Sequence, residues 1–212
     1  VIAVTVITAA GCPHCAAALA RLVRCARARD AAGVSVAITV TDVAAAGALT
    51  ARWRIRSVPA AIVEDAVLLV GDEVLEGADA VLDAVGTPRF ATERLRSLLG
   101  SGQVEEVAAE LRRGEGAAII PLLEENALGS RVGVLLALQL AHEAAPGCLA
   151  GLVPALVGLL GRATGPLRGD LADLLGTLGD ARARAPLAAL AADPDPDVAE
   201  AAAEALGRLG RG

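Results

Sequence analysis

The sequence contains no lysine, no methionine and no tyrosine, and its only tryptophan and phenylalanine are Trp53 and Phe90. A core without aromatic bulk must be built from Ala, Leu, Val and Ile. All 19 basic residues are arginine, a skew that GC-rich coding produces without reference to function. They are outnumbered by 25 acidic residues, a net charge of −6, so the chain lacks the positive excess that holds a polyanion and nucleic acid is excluded as an expected partner. No uninterrupted run of about 18 apolar residues exists, which argues against a membrane span. Cysteine is too sparse, at four in 212 residues, for a disulfide-stapled secreted scaffold. The expected compartment is reducing and cytoplasmic. No basic segment, apolar stretch and small-residue cleavage site open the chain, while a start at Val1 without initiator methionine leaves a trimmed leader, and with it a periplasmic location, open.

What is present is apolar and ordered in type. A hydrophobic content of 55% excludes a disordered chain, and 212 residues allow one large domain or two small ones. Residues 1–86 alternate between two periods. Val1 to Thr8 and Val34 to Thr41 read as strands, and Pro13 to Arg29 and Val43 to Trp53 as helices. Ala60 to Val63 and Ala66 to Val70 flank Glu64-Asp65 as a tight hairpin, and Asp79 to Val85 reads as a closing helix. The order β-α-β-α-β-β-α implies a mixed sheet covered by helices.

Beyond Gly86 strand signals stop. Residues 87–115 read as a helical linker, and 116–212 as a repeat domain in which Pro121-Leu122-Leu123, Pro154-Ala155-Leu156 and Pro186-Leu187-Ala188 recur 33 and 32 residues apart. A period near 30 with a helix pair per unit predicts an α-solenoid of three units, which bury apolar faces only by stacking. In the last unit Asp195 is placed to cap the final helix, with Pro196 at its first position. The segment GDARARAPLAALAADPDPDVAEAAAEALGRLG, Gly179 to Gly210, resembles the HEAT-like repeats related to those of phycobilisome lyases, although Ala199-Glu200 stands where many such repeats carry Arg. The resemblance implies a surface for a protein partner and no lyase chemistry.

The chemistry-bearing string is Gly11-Cys12-Pro13-His14-Cys15, between a strand and a helix. The pattern places Cys12 at the helix N-cap and Pro13 in the first turn, where unpaired amides and the positive end of the helix dipole stabilise a thiolate. Helix-start C-x-x-C cysteines fall to roughly 3.5–7.5 from an ordinary pKa of about 8.5. A protonated or donating His14 would lower Cys12 further and push the pair toward an oxidant or isomerase. With Trp53-Arg54-Ile55-Arg56-Ser57-Val58-Pro59 ahead of the third strand, residues 1–86 resemble a thioredoxin-fold disulfide oxidoreductase of glutaredoxin-like or protein disulfide oxidoreductase type. The C-P-H-C string also occurs in bacterial disulfide-introducing oxidases, whose large helical insertion is absent here. The resemblance implies that Pro59 is cis and faces the cysteines, that Val58 offers its backbone to an extended substrate, and that Gly11 and Pro13 allow its close approach. The family's Trp-Cys start to the motif is replaced by Gly11-Cys12, and a strand position that often carries a buried Asp is Val6.

The expected architecture is therefore an α/β thioredoxin-like mixed sheet followed by an all-α HEAT-like solenoid. The expected reaction is thiol-disulfide exchange, with Cys12 attacking, Cys15 resolving and His14 assisting. It needs a protein disulfide or dithiol substrate and an external thiol reductase or oxidant, but no organic cofactor. An interaction scaffold whose cysteine pair senses redox poise or holds a soft metal is the alternative class. A complete zinc site is not expected, because no second C-x-x-C or His-x3-His supplies the remaining ligands. Cys25 lies about 15 Å along the helix from Cys15, beyond the roughly 7 Å Cα separation of a disulfide, and reads as a small buried hydrophobe. Cys148 and His142 read as residues of the repeat array, Arg21, Arg24 and Arg27 as a solvated basic edge, and Glu64-Asp65 as turn residues.

Overall fold

The computed structural model describes residues 1–125 and 128–210, and the chain divides into two compact units, Val1–Ser101 and Gly102–Gly212. Asn126, Ala127, Arg211 and Gly212 of the expected repeat domain lie outside the described residues.

In the first unit, β1 (Ile2–Thr8), α1 (Cys15–Asp30), β2 (Val36–Asp42), α2 (Gly47–Arg52), β3 (Ala60–Val63) and β4 (Val67–Val70) precede α3 (Asp72–Glu76), α4 (Ala78–Ala84) and α5 (Arg89–Gly100). The strands form one four-stranded sheet in the order β2-β1-β3-β4, with β1 parallel to β2 and antiparallel to β3, and β3 antiparallel to β4. Alternation along the strands supplies two apolar faces. Val4, Val6, Ala61 and Val63 pack with Ala18, Leu22 and Cys25 of α1, while Ile7, Ala60, Ile62 and Leu68 pack with Trp53 on the other side. All four residues of β3 are buried, as befits a central strand covered on both faces. The hairpin turns through Glu64 and Asp65, both left-handed at φ 53° and 50°, with the Ala66 amide donating to the Val63 carbonyl.

Several elements differ from the sequence expectation, and three of the differences have a local reason seen in the first unit. The second helix starts at Gly47 rather than Val43 because the Asp42 carboxylate accepts the Ala44 amide at 2.9 Å and draws the chain into a turn. The closing helix is preceded by α3, whose first turn carries Asp72 and Glu73 and whose five residues are too few to show a helical period. The stretch expected as a linker is divided. Its first helix, α5, belongs to the first unit: Leu95 and Leu98 are buried, and the Ser97 hydroxyl accepts the Leu68 amide of β4 at 2.7 Å and donates to the Leu68 carbonyl at 3.2 Å. The adjacent outward amide of β4, Val70, donates to the Glu73 carboxylate at 3.0 Å.

The second unit is helical: α6 (Val104–Arg112), α7 (Ile120–Glu124), α8 (Leu128–Ala144), α9 (Val153–Leu160), α10 (Pro166–Leu178), α11 (Arg184–Leu190) and α12 (Pro196–Leu209). The repeated prolines fall at the starts of α7, α9 and α11, where the missing amide hydrogen costs nothing. The Asp195 side chain accepts the Asp197 amide and caps α12. Buried leucines, among them Leu138, Leu156, Leu171, Leu175 and Leu187, fill the interior. Helix α10 comes close to α12 at buried Gly176, which lies against Ala205.

Candidate functional site

The sheet register brings the two cysteine-motif segments together. Ile7 of β1 opposes Ala60 of β3, so continuing the antiparallel pairing by one and two residues sets Pro59 and Val58 against the loop that leaves β1. That loop turns at Gly11, φ 75°, and delivers Cys12 two residues before the N-cap of α1. Pro59 is buried and its carbonyl accepts the Gly71 amide at 2.8 Å; the Val58–Pro59 bond is cis.

Cys12 and Cys15 form a disulfide with Cα atoms 5.5 Å apart. Cys12 Sγ accepts the Cys15 backbone N–H at 3.1 Å and lies 4.0 Å from the Val58 carbonyl oxygen. Cys15 is buried, whereas Cys12 is half-buried and Gly11, Pro13 and His14 are exposed. The helix begins at Cys15, with His14 in the N-cap position and making no side-chain cap bond. This corrects the expected placement of Cys12 at the N-cap and Pro13 in the first helical turn. The sulfur of Cys12, in the preceding turn, receives the amide hydrogen of Cys15 that a capping oxygen normally takes. Chemically, the arrangement offers a disulfide between a half-buried and a buried cysteine, with an amide donating to the sulfur of the first and a backbone carbonyl beside it.

Other expectations sort clearly. Cys25 is buried at 2% exposure, and its thiol hydrogen-bonds the Asp79 carboxylate of α4; burial pushes the thiol up, and Asp79 pushes it further. The same bond, followed by that from Arg29, holds Asp79 below the usual carboxylate range. Arg21 is not part of a solvated edge, because it pairs with Asp79 and donates to the Leu75 carbonyl at 3.1 Å. Arg29 joins them, bonding Asp79 at 3.0 Å, Asp83 at 2.6 Å and the Cys25 carbonyl at 3.1 Å. This network ties α1 to α4. In the sequence its signal is the i, i+4, i+8 spacing of Arg21, Cys25 and Arg29 on one helix face. Cys148 is half-buried, 3.4 Å from the Ala141 carbonyl oxygen. Among the described residues, no group of three or more His, Cys, Asp and Glu is arranged to hold a metal ion, and no helix is long and apolar enough to cross a membrane.

Comparison with known proteins bears on the second unit. A family model of HEAT repeats matches residues 153–211, which span α9 to α12. No curated protein and no solved structure matches the chain. The last two helix pairs are thus HEAT-like, and HEAT repeats are associated with protein interaction.

Proposed function

We propose that the first unit is a thioredoxin-like thiol-disulfide oxidoreductase acting on protein substrates through Cys12 and Cys15, with the HEAT-like unit serving partner binding. The observation that carries this reading is the asymmetry of the pair: Cys12 is half-buried, its Sγ receives the Cys15 amide and sits 4.0 Å from the Val58 carbonyl oxygen, while Cys15 is buried. The strand order β2-β1-β3-β4, with the cysteine loop leaving the end of β1 and Val58-Pro59 leading into β3, supports the thioredoxin-like assignment.

In the reducing direction, the Cys12 thiolate attacks one sulfur of a substrate disulfide and the other sulfur leaves as a thiolate, giving a mixed disulfide. The amide of Cys15 stabilises the attacking anion. Cys15, after losing its proton to solvent, then attacks Cys12 Sγ, and the first substrate sulfur leaves. The substrate disulfide gains two electrons and the enzyme ends as the Cys12–Cys15 disulfide. An external thiol or reductase returns it to the dithiol, and an external oxidant drives the reverse sequence. Val58, with its carbonyl next to the reacting sulfur, is placed to align an extended substrate chain, and Gly11 and Pro13 present no bulk against it. His14, exposed at the helix start, is placed to hydrogen-bond the substrate or the leaving sulfur.

Catalysed reduction of insulin by the full chain with dithiothreitol as the electron source tests the reading. Turnover above the uncatalysed rate, abolished by Cys12→Ser, is expected. Absence of turnover in the folded, reduced protein would favour the second reading, an interaction scaffold whose cysteine pair is a sensor or soft-metal ligand. What favours that alternative is the HEAT-repeat match itself.

A further inference from the structure

The whole net charge of −6 resides in the second unit: residues 102–212 carry nine Arg against fifteen Asp and Glu, whereas residues 1–101 carry ten of each. Part of the excess lines a cavity of about 500 Å³ between α8, α10 and α12. Its apolar surface comes from Leu135, Leu174, Val198 and Ala201, and its acidic rim from Asp170, Asp173, Asp195, Asp197 and Glu204. Asp170 and Asp173 are neutralised locally by Arg131 at 3.0 Å and Arg208 at 2.5 Å. Asp195 spends one carboxylate oxygen on the Asp197 amide. Among the described residues, Asp197 and Glu204 have no arginine partner, and both are exposed. They stand seven residues apart on α12, about 10 Å along the axis, too far to share one cation.

The apolar wall continues beyond the cavity. Leu128, Val132 and Leu136 of α8 follow one another at i, i+4 and i+8 and are 67%, 57% and 44% exposed. By helical spacing they occupy the same side of α8 as Leu135 and Gln139, which line the cavity. Exposed large aliphatics in a row beside an apolar cleft mark a contact surface rather than scattered surface hydrophobes.

We infer that this groove docks a cationic amphipathic segment of a partner protein, whose apolar face lies on the α8 stripe and cleft and whose Arg or Lys side chains reach Asp197 and Glu204. This deepens the partner-binding half of the proposed function and rests on it. The sign of the rim selects the occupant. An anionic segment would face Asp195, Asp197 and Glu204 with no compensating arginine. An uncharged apolar segment would strip water from those carboxylates without replacing it, at a cost in free energy.

The probe is a fluorescein-labelled, cysteine-free synthetic peptide with Leu at helical spacing on one face and Arg on the other, titrated with the full chain and read by anisotropy. A counterpart with Glu in place of Arg is the control. The Arg peptide should bind, more weakly as salt rises, and the Glu peptide should not. Combining Asp197→Asn with Glu204→Gln should weaken binding by about fourfold to twenty-fivefold, at about twofold to fivefold for each exposed pair. Val132→Ser with Leu136→Ser should weaken it further through lost apolar contact. Glu105→Gln with Glu106→Gln removes the same net charge on α6 and should leave binding unchanged. No binding of the Arg peptide, equal binding of the Glu peptide, or equal loss in the α6 and α12 variants would overturn the inference. All substituted positions are exposed, and circular dichroism checks that each variant is folded. Because the peptide has no cysteine, its failure to bind and a failure of insulin reduction are separate results.

Discussion

Replacing Gly176 with alanine adds one methyl group at the closest approach of two helices. A Cβ at Gly176 would lie 2.5 Å from Ala205 Cβ, 2.6 Å from Ala205 Cα and 3.1 Å from Arg208 Nε. The first two atoms belong to or directly adjoin the α12 backbone, so relief requires α12 to move as a body. In isolation the substitution favours the helix by about 0.5–1 kcal/mol, because alanine loses less backbone freedom than glycine. Overpacking in an unyielding contact costs about 1–3 kcal/mol, and a clash against backbone belongs at the upper end. The net expectation is a loss of about 2 kcal/mol. Gly169, on the same helix, is the internal control: nothing lies within 4 Å of its Cβ position, so Gly169→Ala should gain about 0.5–1 kcal/mol. Urea unfolding of the full chain followed by circular dichroism reads both, the two midpoints moving in opposite directions from the parent at unchanged slope. A Gly176→Ala protein as stable as its parent would refute the close α10–α12 packing.

Cys15→Ser should accumulate substrate proteins as mixed disulfides on Cys12, whereas Cys12→Ser should trap nothing; diagonal electrophoresis distinguishes them, and equal trapping by both would reverse the nucleophile assignment. Asp180 is held at about 2 by its bonds to Arg182, and Asp79 is also held below the ordinary range by its bonds to Cys25 and Arg29. Their folded-state values are depressed, so their contribution to stability is complete above about pH 4 and is lost as pH falls toward the folded values. Thermal melts between pH 5 and 2 should show that loss, and Asp180→Asn should flatten it. A chain ending at Gly86 discards the burial of Leu95 and Leu98, worth about 1.5–3 kcal/mol each, and both Ser97 hydrogen bonds. Residues 1–101 should therefore melt cooperatively where 1–86 does not, and Ser97→Ala in the full chain should cost about 1–3 kcal/mol.

Local periodicity made much of this fold legible. A short β-branched run identifies β1, two short apolar runs flanking Glu64-Asp65 identify the hairpin, proline spacing finds the starts of α7, α9 and α11, and Asp195-Pro196 marks the start of α12. The C-x-x-C position was legible as a helix start, but its register was not: a turn at Gly11 to His14 shifted the cap by two residues. Contacts between residues distant in sequence were invisible. Ser97 gains meaning only when α5 lies along β4, so the sequence signals place the end of the first unit at Gly86 where the compact unit runs to Ser101. Cys25 reads from the sequence as a packed small hydrophobe, and its burial bears that out, but its neighbour Asp79 stands 54 residues away and is not visible there. Gly176 resembles any other glycine until Ala205 is brought against it.

The side chains along β4 also determine how the sheet meets other chains. A border strand with free amides and carbonyls is a template for further strands, and proteins block it with cover or charge. Here Ser97 occupies both outward groups of Leu68, and Glu73 occupies the amide of Val70, so β4 offers no complete ladder to an incoming strand. The opposite border, β2, has exposed Ala37, Thr39 and Val40. The two borders of the sheet are thus unlike: the side-chain hydrogen bonds of Ser97 and Glu73 hinder strand addition at β4. Loss of α5 would free both outward groups of Leu68, while Glu73 of α3 would still hold the Val70 amide.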